Sequence, residues 1–239
     1  MGIDVRAWRA VGAVGVVVGI GAGVLGCGGG GDDGGRAQKT VSAAEVCGGA
    51  LSPHAAKSLD FLTGSKEYLP SSGSDADLAR AAAELRDGYV AGVDAEDLDV
   101  KPATACAVPN LRTVGTSDLR VQFSFATAQE ADRKTFSGHV RYGIGRNAFV
   151  NPDWAYLYFD CVSPRLKGST EKQPAIVESV LSNAALSQHR SEPDGTRRQI
   201  DEANLSVLNS VALRVAGKLQ CADSGGLTSD PALRPAGGA

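Results

Sequence analysis

The stretch LRVQFSF, residues 119–125, decides the fold class of this chain. Its apolar residues alternate with polar ones, which is the period-two pattern of a β-strand that buries one face. The same alternation recurs in 140–144 and 154–162, and a short fourth strand is expected at 106–108. Short connections between such segments are typical of antiparallel neighbours. The sequence therefore predicts a small antiparallel sheet in the middle of the chain.

Two helices are expected before this sheet. Ser52 followed by Pro53 is typical of a helix start, because Ser caps the first turn and Pro is tolerated there. Gly64 is expected to end this helix. Ser74 with Asp77 resembles a capping box, with Asp in place of Glu, and predicts the start of the second helix.

Two further helices are expected after the strands. Pro174 is predicted to start a helix over 174–184. The segment 200–219 has the clearest helical pattern, with one side formed by Ile200, Ala203, Val207, Val211, Val215 and Leu219. The order of helices, antiparallel strands and helices favours an α+β fold, in which a small antiparallel sheet is flanked by N- and C-terminal helices.

Composition is ordinary for one globular domain. The chain has 239 residues, 43% of them hydrophobic and 21% charged, and its net charge is -3. We place a single α+β domain at residues 42–223, with a mobile surface loop at 188–196 and a disordered tail at 224–239. No run of Lys and Arg is present, so nucleic-acid binding is not expected.

Residues 1–26 are predicted to be a secretory signal peptide. Arg6 and Arg9 provide a positive start, and 11–25 contains only apolar residues and Gly. This run is shorter than the ~20 apolar residues that a membrane-spanning helix needs.

The segment Val24-Leu25-Gly26-Cys27 resembles the lipobox of bacterial lipoproteins. The resemblance implies cleavage before Cys27, lipid on the Cys27 thiol, and attachment of the chain to the outer face of a membrane, because several acyl chains together give stable anchoring. The alternatives are an ordinary signal peptide with a chance Cys and a retained transmembrane anchor. Residues 27–41, which are rich in Gly, would then form a flexible tether.

Four cysteines remain for disulfides once Cys27 is assigned to lipid. They are Cys47, Cys106, Cys161 and Cys221. An exported chain meets an oxidising compartment, so two disulfides are expected, and the spacings suit no zinc site. Three connectivities are possible. We favour Cys106–Cys161 within the strand region and Cys47–Cys221 joining the ends of the domain.

No catalytic or cofactor motif survives inspection. The string CADSGG, residues 221–226, resembles the segment around the nucleophile of trypsin-like serine proteases. Ala222 replaces the first Gly of that segment, too few residues follow Ser224 for a second β-barrel, and no upstream segment supplies a His base. We expect a helix-terminating turn there. No metal or cofactor site is expected, because no two of the three histidines have ligand spacing: His54, His139 and His189.

Trp154, Tyr156 and Tyr158 form an aromatic row on one predicted strand. Period two places the three rings on the same face. An exposed row could bind a ligand, for example by stacking on sugar rings. A covered row would instead be part of the core.

The leader, the Gly-rich tether and the domain start VCGG, residues 46–49, resemble small uncharacterised lipoproteins of actinomycetes. This resemblance is general and implies no site residues. We expect a non-enzymatic lipoprotein that binds a cell-wall or protein partner at the outer membrane face. The alternative is a cell-wall-active hydrolase with carboxylates that the sequence does not single out. A clustered Asp/Glu pair in a cleft would favour the hydrolase, and exposed aromatic rings would favour binding.

Overall fold

The structure is a computed structural model that describes residues 39–109, 117–184 and 195–236. The predicted signal peptide, Cys27 and the tether up to residue 38 lie outside the described residues, and so does most of the predicted loop at 188–196. No helix in the described ranges is long and apolar enough to cross a membrane.

The described residues form five helices and one six-stranded sheet. The helices are α1 Val46–Gly49, α2 Pro53–Thr63, α3 Asp75–Gly88, α4 Ala128–Ala131 and α5 Arg197–Leu219. The strands are β1 Ala103–Pro109, β2 Ser117–Phe125, β3 Val140–Tyr142, β4 Asn147–Val150, β5 Trp154–Cys161 and β6 Ala175–Asn183. The sheet order is β1-β2-β6-β5-β4-β3, and all neighbours are antiparallel. The predicted α+β fold is confirmed.

The predicted helix at 174–184 is wrong, because this segment is strand β6 in the middle of the sheet. Its burial alternates residue by residue, with Ala175 and Val177 buried and Ile176 and Glu178 half-buried. The apolar residues at 176, 177, 180 and 181 fit a helical face as well as the two faces of a central strand. Pairing with β2 and β5 decides between the two structures.

Local start signals behave as the sequence predicts. The Ser52 hydroxyl accepts a hydrogen bond from the backbone N–H of Ala55 at 3.2 Å, and Gly64 ends α2 with a left-handed φ of 62°. Ser74 and Asp77 form the capping box of α3. The two predicted helix starts and the predicted end of α2 are therefore confirmed. The sequence predicts them well because capping depends only on residues within one turn of the helix end.

The inner face of the sheet forms the main core. Helices α3 and α5 pack on the sheet, and α2 packs on α5. Side chains of this face that are fully buried are Val121, Phe123, Leu157, Phe159, Val177 and Leu181. Helix α5 is surrounded on most sides and buries polar residues as well, namely Asp201, Asn204, Ser206, Asn209 and Ser210.

The disulfides join Cys47 to Cys106 and Cys161 to Cys221, so the favoured pairing is wrong. The Cα atoms are 5.1 Å apart in the first bond and 4.8 Å apart in the second. Cys106 lies on β1 and Cys161 on β5, which are separated by β2 and β6. Three strand spacings amount to roughly 14 Å, well beyond the span of a disulfide. Each bond instead links a strand to the helical layer.

The predicted disordered tail is wrong for residues 224–236, which pack against the domain. Leu227 is buried, and Pro235 forms a β-bridge with Tyr142 of the edge strand β3. The side-chain amide of Asn209 on α5 donates to the carbonyl oxygen of Thr228 at 2.8 Å. The tail therefore covers one edge of the sheet.

Candidate functional site

The face of the sheet opposite the helices, here called the outer face, is only partly covered by described residues. Side chains cross it in rows, because β2, β6 and β5 are in register. The first row is Arg120, Ser182 and Trp154, the second is Gln122, Val180 and Tyr156, and the third is Ser124, Glu178 and Tyr158. Strands lie about 4.8 Å apart, so members of a row are direct neighbours.

The aromatic row of β5 runs from solvent into a small core. Trp154 is 42% exposed, Tyr156 is half-buried and Tyr158 is 1% exposed. Tyr158 packs with Ala126 and Phe149 in a cluster separate from the main core. Period two does place the three rings on one face, but only the Trp154 end of that face is open.

A short segment here called the α4 cover, residues 126–139, hides the Tyr158 end of the outer face. The side-chain amide of Asn147 on β4 donates to the carbonyl oxygens of Ala131 and Arg133, each at 2.9 Å. The hydrogen bond to Ala131 is buried and the one to Arg133 is partly buried, so both are at least partly shielded from water. They hold the cover against the sheet.

An arginine clamp also fixes the α4 cover. Arg146 donates to both carboxylate oxygens of Asp132, at 2.7 and 2.6 Å, and to Asp160 on β5 at 2.8 Å. These hydrogen bonds raise the pKa of Arg146 and lower the pKa of the Asp132 carboxyl. The cover is therefore joined to two strands.

Aromatic rings form a continuous strip from the α4 cover to Trp154. Phe136 stacks on His139 with ring centroids 4.2 Å apart, and the Phe136 and Tyr156 centroids are 5.2 Å apart. Tyr156 and Trp154 follow at 6.5 Å with an angle of 21° between their planes. Arg133 lies over Phe136, 4.8 Å from the ring centroid. We call Phe136, His139, Tyr156 and Trp154 the aromatic strip.

The turn before β5 fixes the backbone of Trp154. Asn151 Oδ1 accepts hydrogen bonds from the backbone N–H groups of Trp154 at 2.7 Å and Asp153 at 3.0 Å. Its amide nitrogen lies 3.1 Å from His139 Nε2, and His139 Nδ1 lies 2.8 Å from the carbonyl oxygen of Ser137. A carbonyl only accepts, so Nδ1 donates to Ser137 and Nε2 accepts from Asn151.

Buried asparagines connect this turn to the helical layer. Asn204 on α5 donates to the carbonyl oxygen of Pro152 at 2.8 Å and accepts from the Asn183 amide at 3.2 Å. The backbone N–H of Asn183 donates to the carbonyl oxygen of Asp153 at 2.7 Å. Both asparagines are buried, so the turn that carries Trp154 is held from beneath.

Glu178 is the functional candidate that sequence reasoning missed. Its two carboxylate oxygens accept hydrogen bonds from the Tyr158 hydroxyl at 2.8 Å and the Ser124 hydroxyl at 3.0 Å. Burial raises the pKa of Glu178, and these two hydrogen bonds oppose that effect. Burial also raises the pKa of Tyr158. The sequence does contain a signal for this residue, a single carboxylate within the apolar run AIVESVL. It was overlooked because the segment was predicted to be a helix instead of a central strand.

The described histidines form no catalytic triad. Ser206 Oγ lies 3.0 Å from His54 Nδ1, and Asp230 Oδ1 lies 3.9 Å from the same nitrogen. A triad needs Ser and Asp on opposite ring nitrogens, so this contact ties α2 to α5 instead. Ser224 lies in the turn that follows α5, with a left-handed φ of 54°. The expected turn is confirmed.

A cavity of about 580 Å³ lies between α2, α5 and the C-terminal segment. Its lining includes His54, Lys57, Phe61, Arg198 and Glu202, and the last two form an ion pair at 2.7 Å. Within the described ranges, no group of three or more His, Cys, Asp and Glu residues could hold a metal ion.

No protein-family model matches the chain, and neither a curated protein nor a solved structure matches it significantly. Function is therefore argued from the outer face and from the N-terminal sequence.

Proposed function

We propose that this chain is a lipid-anchored extracytoplasmic binding module, non-enzymatic, which contacts a partner in the cell envelope through its outer face. The observation that carries the proposal is the exposed Trp154 at the end of the aromatic strip. A single exposed apolar residue is ordinary on a protein surface. Here the ring extends an ordered strip, Asn151 fixes its backbone, and the buried Asn204 holds the turn that precedes it.

Lipid anchoring is supported by the lipobox-like segment that ends at Cys27. Two disulfides in a domain of this size suit an oxidising compartment outside the cytoplasm. The mature membrane form should carry acyl mass on an N-terminal Cys27, and Cys27→Ala should release the protein or leave the leader uncut. An intact mass without acyl groups would contradict anchoring.

Binding through the outer face is supported by the chemistry of its open end. Trp and Tyr give large contact area at low entropy cost, and a Tyr hydroxyl or indole N–H adds polar recognition. Because the turn and the α4 cover are hydrogen-bonded to the sheet, little order remains to be imposed on binding. Preorganised aromatic residues of this kind carry much of the energy at binding interfaces.

The test compares three variants for stability and for binding to isolated cell wall. Trp154→Ala should keep near-normal thermal stability and lose wall binding, because Trp154 is 42% exposed and lies outside both buried clusters. Val90→Ala is the matched control, since Val90 is also exposed, at 52%, and lies in the loop after α3. Tyr158→Ala should lower stability by about 3–5 kcal/mol, as for other buried aromatic residues. Unchanged wall binding by Trp154→Ala would remove the proposal.

The hydrolase is the second candidate, and Glu178 is the observation that favours it. A half-buried carboxyl with a raised pKa can act as a general acid. Hydrolysis needs a second carboxylate, and Glu130 of the α4 cover is already engaged in a capping box with Thr127. Release of soluble wall fragments by the wild type, lost in Glu178→Gln, would support the hydrolase over the binding module.

A further inference from the structure

Several polar groups beside Trp154 have no partner among the described residues. Arg120 and Ser182 stand in the same row as Trp154, and neither side chain forms a hydrogen bond or ion pair there. Gln122 donates from its amide nitrogen to Thr104 at 3.2 Å, which leaves its carbonyl oxygen open. The open end of the outer face thus offers both donors and acceptors next to an exposed ring.

Glu178 adds acceptor capacity in the third row, which lies towards the covered end of the outer face, and Glu178 itself is only half-buried. Each carboxylate oxygen can accept about two hydrogen bonds. The structure shows one on each oxygen, from Tyr158 and Ser124. Val180 stands between Glu178 and Ser182 along β6 and between Gln122 and Tyr156 across the sheet, and its side chain is shorter than those of Glu178, Gln122 and Tyr156.

We infer that the outer face binds a neutral sugar unit over Val180, with the ring against Trp154 or Tyr156 and its hydroxyl groups bonded to Ser182 and Glu178. This inference rests on the proposed function and names its ligand class. Aromatic rings pack against the apolar face of a pyranose, while hydroxyl groups around its edge both donate and accept hydrogen bonds. Mixed open donors and acceptors beside an aromatic ring match that pattern.

Charge on this surface favours a neutral ligand. Arg120 and Glu178 lie on opposite sides of the Val180 position and carry opposite charges. An anionic polymer attracted by Arg120 would bring negative charge towards the Glu178 carboxylate, and because that carboxylate is half-buried, the repulsion is screened less than at the open surface. A hydroxyl group can accept from Arg120 and donate to Glu178, so a sugar satisfies both residues without a net charge.

The test titrates the full mature chain, in detergent, with a panel of neutral oligosaccharides and with polyglycerol phosphate as an anionic counterpart. Calorimetry gives affinity, and Trp154 fluorescence reports the site because the other tryptophan, Trp8, lies in the predicted leader. Ser182→Ala and Glu178→Gln should weaken sugar binding roughly fivefold to tenfold each. Ser71→Ala, an exposed serine on the α2–α3 loop, is the matched control and should leave affinity unchanged.

The outcomes separate this inference from the proposed function. A neutral sugar that binds, changes Trp154 fluorescence and loses affinity in both variants supports it. If wall binding depends on Trp154 but no neutral sugar binds, or polyglycerol phosphate binds instead, the inference of a sugar ligand is refuted. The proposed binding function is then still supported. Sugar binding that neither Ser182→Ala nor Glu178→Gln weakens places the sugar elsewhere and also overturns the inference. If Trp154→Ala binds the wall as well as the wild type does, both the binding proposal and the sugar inference are refuted.

Discussion

Removing the Cys161–Cys221 disulfide should cost a large part of the stability of the domain. The double variant Cys161→Ala/Cys221→Ala opens a loop with a sequence separation of 60. In the chain-entropy model, a loop of this length is worth about 4 kcal/mol. Folded domains have about 5–15 kcal/mol in total, so the variant should remain folded only at reduced temperature or low denaturant. The bond joins Cys161 at the end of β5 to Cys221, two residues beyond the end of α5, and the other disulfide of the described residues links different elements.

Urea unfolding followed by circular dichroism measures this loss. A Cys27→Ala background leaves the four disulfide-bonded residues as the only cysteines. Cys47→Ala/Cys106→Ala is the matched control, since its separation of 59 predicts a similar loss.

Thiol counting in the same variants tests the connectivity. Cys161→Ala/Cys221→Ala should contain no free thiol, because Cys47 and Cys106 still pair with each other. Two free thiols would show a different pairing and refute the packing of β1 and β5 described above. A stability loss below about 1 kcal/mol would refute the magnitude.

Three further variants test the outer face. Burial raises the pKa of Glu178, so the stability that its protonated carboxyl contributes is present below pH 4.5 and is lost as pH rises through the folded-state pKa. Glu178→Gln should therefore gain stability relative to wild type between pH 4.5 and neutrality. A difference in the free energy of unfolding that stays constant with pH in urea titrations would contradict this. Asn204→Ala should cost about 1–3 kcal/mol and shift the Trp154 fluorescence maximum, because it unpairs the turn; an unchanged spectrum would mean that the turn is held otherwise. Arg146→Met should cost about 1 kcal/mol and speed hydrogen exchange in 126–139; unchanged exchange there would show that Asn147 alone holds the cover.

Local patterns predicted most of the fold. The alternation in 119–125 and 154–162 gave β2 and β5 because a half-buried strand shows period two directly. Caps at Ser52 and Ser74 placed two helix starts, since capping depends on nearby residues alone. Strand β6 was missed because its apolar residues fit a helical period equally well, and only its two neighbouring strands remove the ambiguity.

Features that depend on strand order could not be predicted. Cys106 and Cys161 looked like neighbours in the strand region, but the sheet inserts β2 and β6 between their strands. Sequence carries no direct signal for that order. The bonds from Asn204 to the turn before β5 join residues more than fifty positions apart, and buried asparagines in a helix give no hint of their partners.

The candidate site was predicted in part. Period two placed the three rings of β5 on one face, but their burial depends on a cover that the sequence did not indicate. The α4 cover contains only a four-residue helix, too short to give a periodic pattern. It buries Tyr158 and leaves Trp154 partly exposed. Tyr158 is therefore part of the core, whereas Trp154 is accessible to a ligand.

Side-chain footprinting with hydroxyl radicals, with and without isolated cell wall, tests the central claim most directly. If the outer face binds an envelope partner, oxidation of Trp154 and Tyr156 should fall when the wall is added. Oxidation of Val90, which is exposed in the loop after α3, should stay the same. Protection confined to the helical layer, for example at Phe61 in the cavity between α2 and α5, would contradict the account.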